Sequence, residues 1–228
     1  MIHLRSMKLA EGSEEKKYFP FNLPLWQHTK EISFDAPVTF FVGENGSGKS
    51  TVMETMALAI NMITVGSENI NRDKSLNRLK EMSWAMKLTW NRKTKRGFFL
   101  RAEDFFGYVK KTNQTREEMQ AELERVEREY EGRSAFAKMQ ARAPFAGAIQ
   151  DIESRYGEDG LDGQSHGESF LALFQNRFVP EGLYLLDEPE VPLSPLRQLT
   201  LISMLKEMVD QKSQFIIATH SPILLAYP

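Results

Sequence analysis

An α/β fold built on a mainly parallel sheet is expected for this 228-residue chain, on three observations. Short apolar, β-rich runs alternate with segments of helical period. One such run, residues 38–42, opens into a glycine-rich loop and then a helical pattern. Two others, residues 183–186 and 215–218, end abruptly in acidic residues and in a histidine.

The elements follow in order. VTFFV at 38–42 reads as a buried strand, and after the loop Val52, Met56, Ala59 and Ile63 fall on one helix face. Residues 84–90, WAMKLTW, alternate large apolar with small or polar side chains, which predicts a strand with one buried face. A basic turn follows at 91–96, and residues 97–101 look like a return strand, so an antiparallel β hairpin region is expected beside the main sheet. Residues 112–145 have helical character. Thr115 and Glu118 have capping-box spacing, Met119, Leu123, Val126 and Tyr130 make a narrow stripe, and Glu124–Arg128 and Glu129–Arg133 suit (i, i+4) pairs. The stripe is too short for a long coiled-coil arm and fits a solvated helix packed by one face. Residues 157–167 read as a loop and 169–178 as a helix. Residues 196–210 follow as a helix with Leu199, Ile202, Leu205 and Val209 inward. The order implies a core made of residues 1–111 and 178–228, with an inserted helical subdomain at 112–177.

Composition narrows the class. The net charge of −2 gives no global basic field toward nucleic acid or acidic membranes. With no cysteine, disulfides and thiolate metal sites are excluded, which fits a reducing compartment. The N-terminal segment lacks the apolar centre of a signal peptide, and no run approaches the length of a transmembrane helix. A cytoplasmic protein is expected.

The loop carries the sharpest chemistry. Gly43, Glu44, Asn45, Gly46, Ser47, Gly48, Lys49 and Ser50, followed by Thr51, match G-x-x-x-x-G-K-[ST] in full. Glycines let successive backbone N–H groups turn inward around an anion, and the next helix adds its N-terminal dipole. Lys49 can reach the β and γ phosphates of a nucleotide, and the Ser50 hydroxyl suits Mg²⁺. No guanine-specifying motif is evident, so ATP is the nucleotide expected. Downstream, LYLLDEPE at 183–190 offers Asp187 as a second oxygen donor for the metal and Glu188 as the residue that orients or deprotonates the attacking water. FIIATHSP at 215–222 places His220 just past another strand end, where ligands of open parallel sheets sit. There it can bond the γ-phosphate or the attacking water.

These three motifs, in this order, resemble those of the ATP-binding cassette (ABC) superfamily of P-loop NTPases. The superfamily's further motif, read roughly L-S-G-G-[QE] at a helix start, has its counterpart in Gln164-Ser165-His166-Gly167-Glu168, where Ser165, Gly167 and Glu168 match and Gln164 and His166 depart. Ser165 and Glu168 also have capping-box spacing, so Ser165 either caps its own helix or offers that helix start to an anion. At His166 either the backbone is ordinary or the imidazole itself approaches nucleotide. The glutamate-ending motif looks more like the soluble branch of the superfamily, which includes the RecF-, SMC- and Rad50-like proteins and the small predicted ATPases of the AAA_21 type.

The resemblance implies an ATP-dependent head-to-tail homodimer. Lys49, Ser50, Asp187, Glu188 and His220 of one protomer would face Ser165, His166 and Gly167 of the other across Mg-ATP. It also implies a glutamine at a strand end after the first helix. The stretch FFLRAEDFF, 98–106, has none there; either the position has no counterpart or Glu103, an acid suited to lie near Mg²⁺, stands in for it. A cassette usually continues with at least one more strand after the histidine, so further chain is implied beyond residue 228.

The function expected is that of a soluble ATPase whose cycle switches conformation on DNA or a protein partner. Two other classes compete. One is the ATP-binding subunit of a membrane transporter, which the SHGE wording and the missing glutamine oppose. The other is a nucleotide-binding module without turnover, which Glu188 opposes. Arg92-Lys93-Thr94-Lys95-Arg96 is either a contact for DNA or a solvated turn.

Overall fold

The computed structural model describes residues 1–65, 77–156 and 166–228. The chain divides into two compact units, Met1–Phe105 with Arg177–Pro228, and Phe106–Asn176.

In chain order the first unit contains β1 (Leu4–Leu9), α1 (Pro24–His28), β2 (Glu31–Ser33), β3 (Val38–Phe41), α2 (Lys49–Ile60), β4 (Thr64–Val65), α3 (Asn77–Ala85), β5 (Met86–Trp90) and β6 (Phe99–Arg101). Helix α4 (Ala102–Glu129) starts in this unit and runs on into the second, which also holds α5 (Ala135–Tyr156) and most of α6 (His166–Arg177). The first unit then resumes with β7 (Leu183–Asp187), α7 (Pro195–Asp210), β8 (Gln214–Ala218) and α8 (Pro222–Leu225).

Two sheets form among the described residues. One is parallel, in the order β3-β8-β7-β6-β4, and the other is antiparallel, in the order β2-β1-β5. Every residue of β7 and β8 is buried, which explains why LYLLD and QFIIA read as continuous apolar runs without alternation. Val52, Met53 and Met56 of α2 share one core with Leu4 and Met7 of β1 and with Leu185 and Ile216 of the parallel sheet. Gln214 stitches the two sheets together. Its buried Oε1 accepts from the His3 and Leu4 N–H groups at 2.7 and 2.8 Å, and its Nε2 donates to the Leu4 carbonyl at 2.9 Å.

The expected hairpin is replaced by a different antiparallel arrangement. Residues 84–85 close α3, with Trp84 exposed, and β5 pairs with β1. Strand β6 instead lies parallel to β7, with Phe99 opposite Leu185. Phe99 and Leu100 are buried, and a central sheet position covers both faces where a hairpin covers one. The crossing is possible because residue 97 is glycine. Its φ is +115°, and a Cβ there would sit 1.8 Å from the Leu183 carbonyl oxygen.

Other boundaries shift as well. Helix α2 ends at Ile60 with Asn61 left-handed (φ 59°), which leaves Ile63 outside the helix and exposed, while Met53 and Ala57 widen the buried face. The inward row of α7 is Leu201, Ile202, Leu205 and Met208, and Leu199 is exposed.

In the second unit, the single helix expected over 112–145 is two antiparallel helices, α4 and α5, that turn at Gly132 (φ 80°). Thr115 lies inside α4, where its hydroxyl donates to the Lys111 carbonyl, so it is not a cap. Ser134 caps α5 by accepting from the Ala137 N–H. The pair is tied by Arg116–Glu153 and Arg142–Glu127, both at 3.1 Å, and by the Tyr108 and Tyr156 hydroxyls at 2.7 Å. Arg125 pairs with Glu122 and Glu129 along α4. Val126 of the expected stripe is buried, with Met119 and Leu123 half-buried.

Candidate nucleotide site

Four strand ends line up across the parallel sheet. Phe41 of β3 and Asp187 of β7 are both in register with Ala218 of β8, and Arg101 of β6 is in register with Asp187. The loops leaving these ends are drawn together by backbone bonds, from Thr219 N–H to the Phe41 carbonyl at 3.2 Å and from Glu188 N–H to the Ala218 carbonyl at 2.8 Å. The glycine loop, the acidic pair and the histidine therefore share one edge of the sheet.

The glycine loop turns where its sequence allows. Gly46 and Gly48 have φ of 81° and 95°, the Ser47 N–H closes on the Glu44 carbonyl at 3.1 Å, and α2 begins at Lys49. At Gly48 a Cβ would lie 2.7 Å from a Leu23 methyl, so this position is restricted by space as well as by φ. Lys49 Nζ donates back across the loop to the Gly43 and Glu44 carbonyls, at 2.8 and 3.0 Å. This places the Lys49 amine at the mouth of a helix N-terminus, which is an anion site.

Behind it, the Ser50 side chain lies beside the Asp187 carboxylate. Asp187 is buried, and its Oδ1 has no partner. Burial pushes its carboxyl up to about 6, against the pull of Ser50 and Arg101. A buried carboxylate oxygen without a partner beside a hydroxyl fits a hard divalent cation. Among the described residues no three acidic or imidazole side chains are grouped to hold a metal. That donor set suits Mg²⁺, which takes few protein ligands and keeps water and phosphate oxygens.

Glu188 adopts a left-handed φ of 51°, a conformation that costs a non-glycine residue on the order of 1 kcal/mol and that collects at functional sites. Its Oε1 lies 3.6 Å from His220 Nε2. The histidine loop is anchored by Glu190, whose Oε1 accepts from the His220 backbone N–H at 2.7 Å. Glu103 sits on the first turn of α4, ion-paired with Arg101.

Ser165 lies outside the described residues. His166 is the first residue of α6, and Gly167 is buried in its first turn.

Three residues at this edge escape motif reading, namely Glu54, Arg101 and Glu190. Glu54 follows Ser50 by one helical turn, which puts it on the same face of α2. Arg101 is a charge at the end of the apolar run FFL. Glu190 is the second acid of DEPE. A helical-wheel projection from Ser50 and the strand-end position of Arg101 were the available signals.

Comparison with known proteins gives two family matches, one in each part of the chain that supplies this edge. A family described as "AAA domain" matches residues 18–81, which contain the glycine loop. A second, described as "AAA domain, putative AbiEii toxin, Type IV TA system", matches residues 169–226, which contain Asp187, Glu188 and His220. The chain has a mixed α/β fold, with a five-stranded parallel sheet and a three-stranded antiparallel sheet. Among solved structures the chain is similar to an Smc head domain with an extended coiled coil bound to the C-terminal domain of ScpA, from Pyrococcus furiosus. That match has 11% identity and a TM-score of 0.48, and covers 100% of this chain and 92% of that one. It is also similar to the SMC head domain from Thermotoga maritima, with 18% identity, a TM-score of 0.41, and coverage of 99% and 92%. No curated protein matches the chain.

Proposed function

We propose that the chain binds Mg-ATP in the loop 43–51 and hydrolyses it, and that two copies close head-to-tail around the nucleotide to drive a conformational change in DNA or a protein partner. The observation that carries this reading is the alignment of Lys49, Ser50, Asp187, Glu188 and His220 along one sheet edge. The backbone N–H groups of the loop and the Lys49 ammonium would hold the phosphates. Ser50 and Asp187 would hold Mg²⁺, which supplies charge neutralisation for those phosphates. Glu188 accepts a proton from water or orients it, and His220, beside Glu188, holds that carboxylate and faces the same water. Ser165, His166 and Gly167 would complete the partner's site. No helix among the described residues is long and apolar enough to cross a membrane.

The test is a titration of the full chain with a fluorescent ATP analogue and Mg²⁺, beside phosphate release. Wild type is expected to bind and turn over. Lys49→Ala is expected to lose binding, since it removes the cation that the loop carbonyls position. Unchanged affinity in Lys49→Ala would remove the loop from the site. Binding without phosphate release would favour a nucleotide-dependent module without turnover.

A further inference from the structure

The guanidinium of Arg101 sits among three carboxylates. Its Nη1 lies 2.6 Å from Glu54 Oε1, its Nη2 pairs with Glu103 Oε1, and its Nε faces Asp187 Oδ2 at 3.8 Å. Glu54 and Asp187 are buried, with side chains 8% and 4% exposed, whereas Glu103 is on the surface at 67%. One positive charge therefore serves two buried negative ones. Removing one partner of such a buried pair leaves a charge without compensation, which is costly.

The arrangement is incomplete in a specific way. The Arg101 Nε is buried and makes no hydrogen bond, and 3.8 Å to Asp187 is too long for one. Asp187 Oδ1 is likewise buried without a partner. A guanidinium whose role was only to lock β6 onto β7 would close both bonds. Here the Asp187 carboxylate is balanced at a distance and remains available.

We propose that Arg101 is the internal counter-cation of the metal pocket: it balances Asp187 and Glu54 in the metal-free protein, and a divalent cation arriving with nucleotide competes with it for Asp187. This rests on the Mg-nucleotide reading above. Arg101 is a positioning residue, since its ion pairs are with the carboxylates and not with substrate. Asp187 exchanges a distant guanidinium for the metal, and Arg101 keeps Glu54 and, through Glu103, the first turn of α4. The direction of the effect is unusual for an arginine beside a phosphate site. Removing it should strengthen metal binding, because a repelling charge leaves and an uncompensated carboxylate remains.

The experiment titrates Mg²⁺ into the full chain at a fixed concentration of fluorescent, non-hydrolysable ATP analogue, for wild type, Arg101→Gln and Arg101→Lys. The Mg²⁺ concentration at half-saturation is expected to fall about tenfold in Arg101→Gln, in keeping with one close charge removed. In Arg101→Lys it should stay near wild type. In melting curves, metal-free Arg101→Gln should melt below wild type, and the gap should narrow at saturating Mg²⁺ and analogue. Half-saturation unchanged or raised in Arg101→Gln, or a melting deficit equal with and without metal, overturns the proposal and leaves Arg101 as a structural tie. If Arg101→Gln does not fold, Glu54→Gln with Arg101→Gln is compared with Glu54→Gln alone, and the same fall is required. A wild type that binds no Mg-nucleotide overturns both proposals. A wild type that binds, with no shift in Arg101→Gln, overturns this one only.

Discussion

His220 Nε2 stands 3.6 Å from Glu188 Oε1, and the two residues reach each other from adjacent strands, one past β8 and the other past β7. Neither is held there by its own side chain alone. Glu188 is fixed by its left-handed backbone and its N–H bond to Ala218, and His220 by the Glu190 carboxylate on its own N–H. Glu188→Gln preserves shape and removes the carboxylate proposed as the base. It is expected to bind ATP as wild type does while turnover falls by about 10² to 10⁴. Steady-state phosphate release near the wild-type rate would take Glu188 out of that role and leave His220 as the candidate.

Two buried carboxyls set a dependence of stability on pH. In the metal-free fold, burial raises Glu54 from 4.5 to about 7 and Asp187 from 3.8 to about 6. Between about pH 4 and pH 7 the folded chain therefore binds more protons at these sites than the unfolded chain. Stability contributed by them is then highest at the acid end and is lost as pH rises through the folded values. Other groups add their own slopes, so the difference between variants is the measure. Denaturant midpoints taken from pH 4.5 to 8 should decline less steeply toward high pH in Glu54→Gln and Asp187→Asn than in wild type. Parallel curves would show that neither carboxyl is the source.

Gly97 and Gly46 separate two costs that both come from replacing glycine. Both have positive φ, but a Cβ at Gly46 would meet nothing within 4 Å, whereas one at Gly97 would overlap the Leu183 carbonyl. Gly46→Ala should cost about 1 kcal/mol of stability from backbone strain alone. Gly97→Ala cannot be seated without moving β6 off β7 and should cost several-fold more, on the scale of overpacking with backbone shift, about 3 kcal/mol or above. Equal chemical midpoints for the two variants would contradict the placement of β6.

Much of this was legible in the sequence, for reasons that differ by element. The glycine loop, DEP and THS are strand-end motifs, so a local pattern of apolar run followed by polar residues located all three, and the parallel order followed. Residues 84–101 misled because alternation identifies one buried face without naming the partner strand, and the decisive feature, Gly97 passing over Leu183, is a contact between residues far apart in the chain. Residues 112–145 read as one helix because Gly132 alone does not outweigh the helix formers around it. Glu54 and Arg101 were missed because ordinary surface helices and strand ends also carry acids and arginines. Only the register of Arg101 with Asp187 and the burial of Glu54 single them out.

The last prediction concerns the start of α6. Under the dimer proposal, Ser165 and Gly167 of one copy complete the other copy's site. Under the local alternative, Ser165 caps its own helix. Ser165→Arg distinguishes them. A lost cap costs about 0.5–2 kcal/mol and leaves ATP chemistry largely intact. A blocked composite site leaves ATP binding by each monomer intact and prevents ATP-dependent dimerisation, which size-exclusion chromatography with Glu188→Gln in the background would report. Mixing Ser165→Arg with Lys49→Ala sharpens the result. The mixed dimer pairs a sound phosphate loop from the first with a sound helix start from the second, so one good site forms beside one doubly broken site. Phosphate release should rise above that of either variant alone, provided one ATP holds the dimer. Because the second site can be needed for closure, the adverse result is the simpler one. A Ser165→Arg chain that hydrolyses ATP and dimerises as wild type does would make Ser165 a cap and remove the start of α6 from the partner's site.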